Sequence, residues 1–294
     1  MTGLLKKPEW IRSKVPSGEN FKTISHLRQD GNLATVCEEA KCPNQWECWK
    51  KGTATFMIMG DTCTRYCRFC SVKTSRMPPN LDEEEPDKLA RTLKELKLKY
   101  AVITSVDRDD LPDLGVTHFL NCVTEIKKQC SSILIELLIP DFQGKRDLIE
   151  PVACSQADVI GHNIECVQRL TKEIRDPRAS YEQSLEVLRI LRKANPELIV
   201  KSSLMLGLGE TDAEVTEAMS DIREAGAKIL TLGQYLQPSR KSIPVKRYVT
   251  PEKFEQLRQE GLDMGFDYVA SGPLVRSSYL AAEQYLSLRL KRNG

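Results

Sequence analysis

The sequence predicts an α/β fold: a partial (β/α)6 TIM-type barrel with N- and C-terminal extensions. Six short apolar runs are rich in Ile, Leu and Val on both parities, the signature of strands buried on both faces. Helix-period segments separate them, so β-then-α units follow one another in series. Such units imply a parallel sheet with right-handed crossovers. Eight would close a full barrel, and six leave an open one. A chain of 294 residues can bury such a core and still carry appendages.

The strand runs are TATFMIM (53–59), YAVITSV (100–106), SILIELLI (132–139), DVIGHN (158–163), LIVKSSLML (198–206) and KILTLGQYL (228–236). Between them Leu89, Leu93 and Leu96 recur at helical spacing, as do Phe119, Val123 and Ile126. Leu185, Leu188 and Leu191 do the same, then Val215, Ala218 and Ile222. Thr211 and Glu214 have the spacing of a capping box, and Thr250 with Pro251 starts a further helix. The acidic stretch DEEEPD (82–87) reads as a solvated loop ahead of a helix. Residues 1–52 and 245–294 fall outside the repeat as extensions, and 53–244 form the barrel.

Charge and hydropathy exclude several functions. Forty-three basic and 41 acidic side chains leave a net charge of +2, too little for a global attraction to nucleic acid or anionic membrane. Mean hydropathy is −0.38, and no run approaches the ~18 apolar residues of a membrane span. The first residues lack the apolar stretch of a signal peptide, so the chain reads as cytoplasmic. In a reducing compartment, close-spaced thiols bind metal or do chemistry rather than form structural disulfides.

Six of the ten cysteines fall in two triplets: Cys37, Cys42 and Cys48, then Cys63, Cys67 and Cys70. The second triplet follows the first strand, at the carboxyl face where barrel enzymes put their active sites. Structural zinc takes four ligands in paired knuckles. The three histidines, at 26, 118 and 162, fall into no knuckle beside these cysteines. A [4Fe–4S] cube held by three cysteines keeps one iron open for a substrate or cofactor. Cys122, Cys130, Cys154 and Cys166 have no metal spacing and read as small apolar fillers or ordinary thiols.

The C-x3-C-x-aromatic-C spacing, with Phe69 in the aromatic slot, resembles the signature of radical S-adenosylmethionine (SAM) enzymes. CEEAKCPNQWECW, with its C-x4-C-x5-C spacing, looks like the auxiliary-cluster motif of lipoyl synthases. VDRDDLPD (106–113), GHNIE (161–165), LMLGLGE (204–210), GQYLQPS (233–239) and ASGPLVRSSY (270–279) resemble that family too, as does the opening KPEWIRSKVPSGENF. The resemblance spans Lys7 to Tyr279.

It implies two [4Fe–4S] clusters and SAM as cofactors. Cys63, Cys67 and Cys70 would hold the cluster that binds SAM and generates a 5′-deoxyadenosyl radical, chemistry that no side chain supplies alone. Cys37, Cys42 and Cys48 would hold an auxiliary cluster that donates sulfur, inserted at C6 and C8 of an octanoyl chain on a lysine. Its fourth ligand would be Ser278, chosen over Ser277 by family analogy, which requires both extensions to lie over the barrel mouth. Phe69, Asp107, Asn163, Gly207 and Gly209 would contact SAM. The residues alone also allow an acidic loop end at Asp107 and Asp109, a turn former at Asn163 and a tight turn at the two glycines. Arg108 would bind carboxylate or be solvated.

The implied partners are an octanoylated lipoyl carrier domain or the glycine-cleavage H protein, and an electron donor of flavodoxin or ferredoxin type. Lys6, Lys7, Arg12 and Lys14 would meet an acidic carrier or form a solvated tail, and His26 reads as structural. Three departures from the family pattern stand out: Leu280 in a histidine slot, Cys166 for threonine and Ser203 for glycine. None is a cysteine ligand. Two other readings are a biotin-synthase-like sulfur-inserting enzyme and a non-catalytic iron–sulfur protein. Two cubes amount to about eight irons per chain, whereas a [2Fe–2S] second centre favours the biotin-like reading.

Overall fold

The computed structural model describes residues 6–11, 33–39, 42, 44–50 and 55–278. The chain divides into two units: residues 13–66 with 70–160, and residues 1–12 and 67–69 with 161–294.

In the first unit β2 (Thr55–Ile58), β5 (Tyr100–Ser105) and β6 (Leu134–Leu138) pair in parallel, with Phe56 opposite Ile103 and Val102 opposite Glu136. β1 (Ala34–Thr35) adds antiparallel to β2. Two-residue strands β3 (Thr62–Cys63) and β4 (Lys73–Thr74) pair apart from that sheet. β7 (Val159–Gly161) follows β6 in the strand order. Helices α1 (Val36–Glu39) and α2 (Gln45–Lys50) precede β2, and α3 (Glu85–Glu95), α4 (Val116–Gln129) and α5 (Arg146–Ala153) alternate with the strands after it. In the second unit β8 (Ile199–Leu206), β9 (Ile229–Gln234) and β10 (Tyr268–Gly272) are parallel neighbours. Helices α6 (Thr171–Ile174), α7 (Tyr181–Ala194), α8 (Asp212–Glu224) and α9 (Pro251–Asp263) accompany them.

All six anticipated strands form, and their lack of alternation has the expected cause. Every residue of β2 and of β9 is buried. The Thr211–Glu214 capping box closes, with Glu214 N–H donating to Thr211 Oγ1 at 3.3 Å and Thr211 N–H to Glu214 Oε2 at 2.7 Å. Thr250 caps α9 through Lys253 N–H. The segment 245–294 also holds β10, a strand the repeat did not reveal. Its five residues, YVASG, are too short and too polar to register as an apolar run.

One expectation is corrected. DEEEPD is not a wholly solvated loop, because Glu85 opens α3 and is only 6% exposed. Its carboxylate has two buried partners, Met59 N–H and His118 Nε2.

The core of the first unit contains Phe119, fully buried and edge-on to Phe142 with ring centroids 6.0 Å apart. Phe142 and Gln143 hold left-handed backbone, with φ of 44° and 55°, just past the carboxyl end of β6. Phe119→Ala should therefore cost roughly 3–5 kcal/mol, as large aromatic truncations in packed cores do. A urea-denaturation midpoint measured anaerobically beside the parent checks this; an unchanged midpoint would rule out the packing role.

Candidate active site

Immediately after β2 the first unit carries Cys63, Thr64 and Arg65, which meet the loop after β5. Thr64 N–H donates to Asp107 O at 2.9 Å, and Asp109 N–H donates to Thr64 Oγ1 at 3.1 Å. Arg65, with a side chain only 4% exposed, is surrounded by carboxylates. It forks onto Asp141 (Nη1 to Oδ2 2.6 Å, Nη2 to Oδ1 2.7 Å) and onto Asp109 (Nε to Oδ2 and Nη2 to Oδ1, both 2.9 Å). Asp107 Oδ1 lies 3.3 Å from the same Nε. Arg65 therefore joins the cysteine loop to the loops that follow the second and third barrel strands. Asp141 also caps the strained turn at Gln143 by accepting its N–H. Arg108 is buried and forks onto Asp110, so it is neither solvated nor directed to an external carboxylate.

Each cysteine of the barrel triplet receives a backbone N–H. Arg65 N–H points to Cys63 Sγ at 3.4 Å and Val72 N–H to Cys70 Sγ at 3.5 Å, both in the first unit. In the second unit Asp176 N–H points to Cys67 Sγ at 3.3 Å. Arg68 fixes that cysteine's neighbourhood through N–H to Ile174 O and through its own carbonyl, which accepts Ile243 N–H. Amides directed at sulfur suit thiolates bound to iron, whose potential such bonds tune. Burial, then the Asp107 carboxylate with Oδ2 3.7 Å away, pushes the Cys63 thiol up to about 12. Only a cation at the sulfur would reverse that and hold it as thiolate. Among the described residues no three His, Cys, Asp or Glu side chains converge as on a single ion. Thiolates on separate irons of a cube need not converge.

The second unit arranges the other family motifs along β8 and β9. Glu165, at φ 71°, bridges Leu204 of β8, and its Oε1 accepts Asn163 Nδ2 at 3.0 Å. Lost hydration pushes the Glu165 carboxyl up, against the opposing influence of Arg175 and Asn163. Past β8, Glu210 accepts Gly207 N–H at 2.6 Å and Leu208 N–H at 2.9 Å, which ties the LGLGE turn. Gly207 has φ 98°, and a Cβ there would stand 2.1 Å from Gln234 Nε2 and 2.4 Å from Arg247 O. Packing thus requires a glycine there, whereas Gly209 at φ 113° meets only Lys246 Cγ at 3.6 Å. Gly233 of β9 admits the Val275 carbonyl, 2.1 Å from where its Cβ would be. This contact and Arg276 Nη1 to Gln234 O at 3.3 Å dock the RSS turn, with Ser277 and Ser278 half-buried, at the carboxyl end of β9.

Comparison with known proteins matches these features to one group. Residues 57–222 match the radical SAM superfamily, and residues 2–42 match the N-terminal domain of lipoyl synthase of the radical SAM family. A mitochondrial lipoyl synthase of Branchiostoma floridae is 54% identical over 293 residues, covering 98% of this chain and 78% of that protein. The lipoyl synthase of Halorhodospira halophila (strain DSM 244 / SL1) is 51% identical over 276 residues, 94% of this chain and 83% of its own. The chain belongs to the lipoyl synthase family.

Solved structures share the fold at far lower identity. A methylornithine synthase matches with TM-score 0.55 at 13% identity, over 87% of this chain and 79% of its own. An FeFe-hydrogenase maturase of Carboxydothermus hydrogenoformans matches with TM-score 0.56 at 13%, over 92% and 78%. The chain has the radical SAM fold, a mostly parallel α/β sheet of the partial-barrel type, and the family brings SAM and a [4Fe–4S] cluster as cofactors. Among the described residues, no helix is long and apolar enough to cross a membrane.

The lipoyl synthase N-terminal match begins at residue 2 and takes in Cys37 and Cys42. These two stand close together, with Cys42 N–H bonded to Cys37 O at 3.0 Å, and Cys48 N–H bonds Asn44 O at 2.9 Å. Burial, then Cys42, pushes the Cys37 thiol up to about 11, while Thr55 and the Trp49 indole lower it. Trp49 is fully buried and Cys37 nearly so, while Cys42 and Cys48 are half-buried. His26, Arg12, Lys14 and Leu280 lie outside the described residues. Ser203 is buried in β8 and Cys166 is buried beside Thr171. Sequence reasoning missed Arg65, Asp141 and Glu165. Arg65 was visible two positions after Cys63, and Asp141 at a strand's carboxyl end. Glu165 closed the quoted GHNIE.

Arg65 sets the pH behaviour of this site. It is among the groups holding the Asp109 carboxyl well below the ordinary carboxylate range, against burial. That contribution is present above the unfolded carboxylate pKa and is lost only as pH falls through the depressed value. In Arg65→Ala, Asp109 and Asp141 would keep their burial without their cation, so their carboxyls should rise instead. Stability should then fall as pH climbs from about 4 towards 8, with a loss of roughly 3–5 kcal/mol at neutrality. Thermal unfolding across that range checks the sign; a profile parallel to the parent's would refute it.

Proposed function

We propose that this chain is a lipoyl synthase: it inserts sulfur at C6 and C8 of an octanoyl group amide-linked to a lysine. The observation that carries the reading is the pair of cysteine triplets on a chain 51–54% identical to lipoyl synthases over 94–98% of its length. Cys63, Cys67 and Cys70 hold the cluster that binds SAM. Cys37, Cys42 and Cys48, with Ser278 as fourth ligand, hold a second [4Fe–4S] cluster as sulfur source. When bound and reduced, the first cluster supplies the electron that makes hydrogen abstraction from an unactivated carbon possible.

The chain's own residues bind, orient and exclude water. Three carboxylates face one guanidinium beside Cys63, leaving a surplus of negative charge that suits the ammonium and sulfonium of SAM. Asp107, the most exposed of the three at 25%, takes the ammonium. Phe69 lines the adenosyl group, Asn163 holds the ribose or methionine part, and the Gly207 and Gly209 backbone approaches the adenine. The dry setting of Cys37 and Trp49 keeps water from a carbon radical awaiting sulfur. A serine alkoxide is a harder ligand than thiolate and matches an iron–sulfur cube less well, so Ser278 suits a cube that must open.

The substrate protein is an octanoylated lipoyl carrier domain or the glycine-cleavage H protein, and the electron donor is of flavodoxin or ferredoxin type. A cytoplasmic site of action is the reading from the sequence; the Branchiostoma relative, by contrast, is named mitochondrial.

Separating the two triplets tests the assignment. Alanine at Cys63, Cys67 or Cys70 should abolish reductive SAM cleavage while iron of the other cluster remains bound. Alanine at Cys37, Cys42 or Cys48 should leave 5′-deoxyadenosine formation intact and stop C–S bond formation. Undiminished SAM cleavage in the first set, or normal lipoyl product in the second, would defeat it.

A further inference from the structure

Met59, the residue between β2 and the cysteine loop, is held from two sides by residues with no part in the site described above. It adopts a left-handed backbone, φ 66°, followed by Gly60 at φ 84°, so the chain turns sharply as it leaves the strand. A non-glycine residue in this region is strained and persists where its surroundings over-determine it. Met59 N–H donates to Glu85 Oε2 at 2.7 Å, and His118 Nε2 lies 2.6 Å from that same oxygen. Glu85 and His118 are 6% and 7% exposed. They sit in the first turns of α3 and α4, where the helix N-terminus favours a carboxylate. The second hold is Gly115, at φ 89°, over which the Met59 side chain lies: a Cβ on Gly115 would stand 2.3 Å from Met59 Sδ.

Cys63 follows this socket by four residues, and the next two, Thr64 and Arg65, are fixed to Asp107, Asp109 and Asp141. Cys63 itself is held by backbone pairing with Thr74 and by Ser75 N–H to its carbonyl at 2.9 Å. The short span from Gly60 to Cys63 therefore runs between two fixed points. We propose that Glu85 and His118 are positioning residues for the reaction: by holding the Met59 amide in its left-handed turn they set where the loop delivers the Cys63 sulfur. Their hydrogen bonds run to the Met59 amide and to each other. The inference rests on the reading of Cys63 as a cluster ligand.

Glu85→Ala and Glu85→Gln in the full-length holoenzyme test it, because glutamine keeps an oxygen that can accept both donors. Three readouts apply: hydrogen exchange of the Met59 amide, the SAM-induced change in the EPR spectrum of the reduced enzyme, and the rate of 5′-deoxyadenosine formation. Glu85→Ala should speed Met59 exchange by about tenfold or more, the effect of losing a hydrogen bond to a charged acceptor. It should also alter the SAM-induced EPR change and slow SAM cleavage by a similar factor, and Glu85→Gln should restore all three to within about threefold. Parent-like exchange and EPR response in Glu85→Ala, or a glutamine variant as impaired as the alanine one, would overturn the inference. A parent with no SAM-responsive signal would instead overturn the ligand reading of Cys63, and the inference with it. Should Glu85→Ala not fold, His118→Ala removes one contact to the same oxygen and is read by the same criteria.

Discussion

The buried Arg65 guanidinium, forked onto two aspartates and near a third, is the interaction on which the first unit's site depends. It follows Cys63 by two residues, so where Arg65 is held helps to fix the position of Cys63. A cation this deeply buried is costly unless its partners are fully engaged, and Asp109 and Asp141 engage it with paired hydrogen bonds. Lysine could not replace it, because a single ammonium cannot fork onto two carboxylates. The strained turn at Phe142 and Gln143 is tied to the same network through Asp141.

Much of this was legible in the sequence, for reasons that mark where the rest was hidden. The six barrel strands read clearly because burial on both faces leaves them apolar on both parities. The cysteine triplets stand out in the sequence because metal-ligand chemistry would fix residue type and spacing together. β10 did not: YVASG mixes polar and small residues and lacks the repeat's apolar signal. Gly233 and Gly272 stand opposite each other where β10 joins β9, and the Val275 carbonyl presses on Gly233. That requirement is tertiary and leaves no local pattern. Glu85 was misread for a similar reason. A run of acids looks solvated from the sequence, and only the fold reveals that one of them turns inward to a methionine amide and a histidine.

Charge and solvation then divide the labour between the triplets. Around Cys63 burial and then the Asp107 carboxylate push the thiol up, and a bound cation would reverse that and favour the thiolate. Around Cys37 burial dominates, and the neighbouring Trp49 is fully buried beside it. The first setting favours a positively charged cofactor, and the second favours a reaction that water would spoil. In the second unit the docking of the RSS turn against Gly233 and Gln234 brings Ser278 to the carboxyl end of β9, where barrel enzymes place their chemistry.

The central claim, sulfur insertion into a protein-bound octanoyl chain, is tested most directly by anaerobic single turnover with an octanoyl-lysyl peptide, followed by mass spectrometry. With SAM, a strong reductant and the cluster-loaded chain, the account predicts a peptide that has gained two sulfur atoms on the octanoyl group. Its appearance should track 5′-deoxyadenosine at two per product. 5′-Deoxyadenosine accumulating with the octanoyl peptide returned free of sulfur would contradict the account.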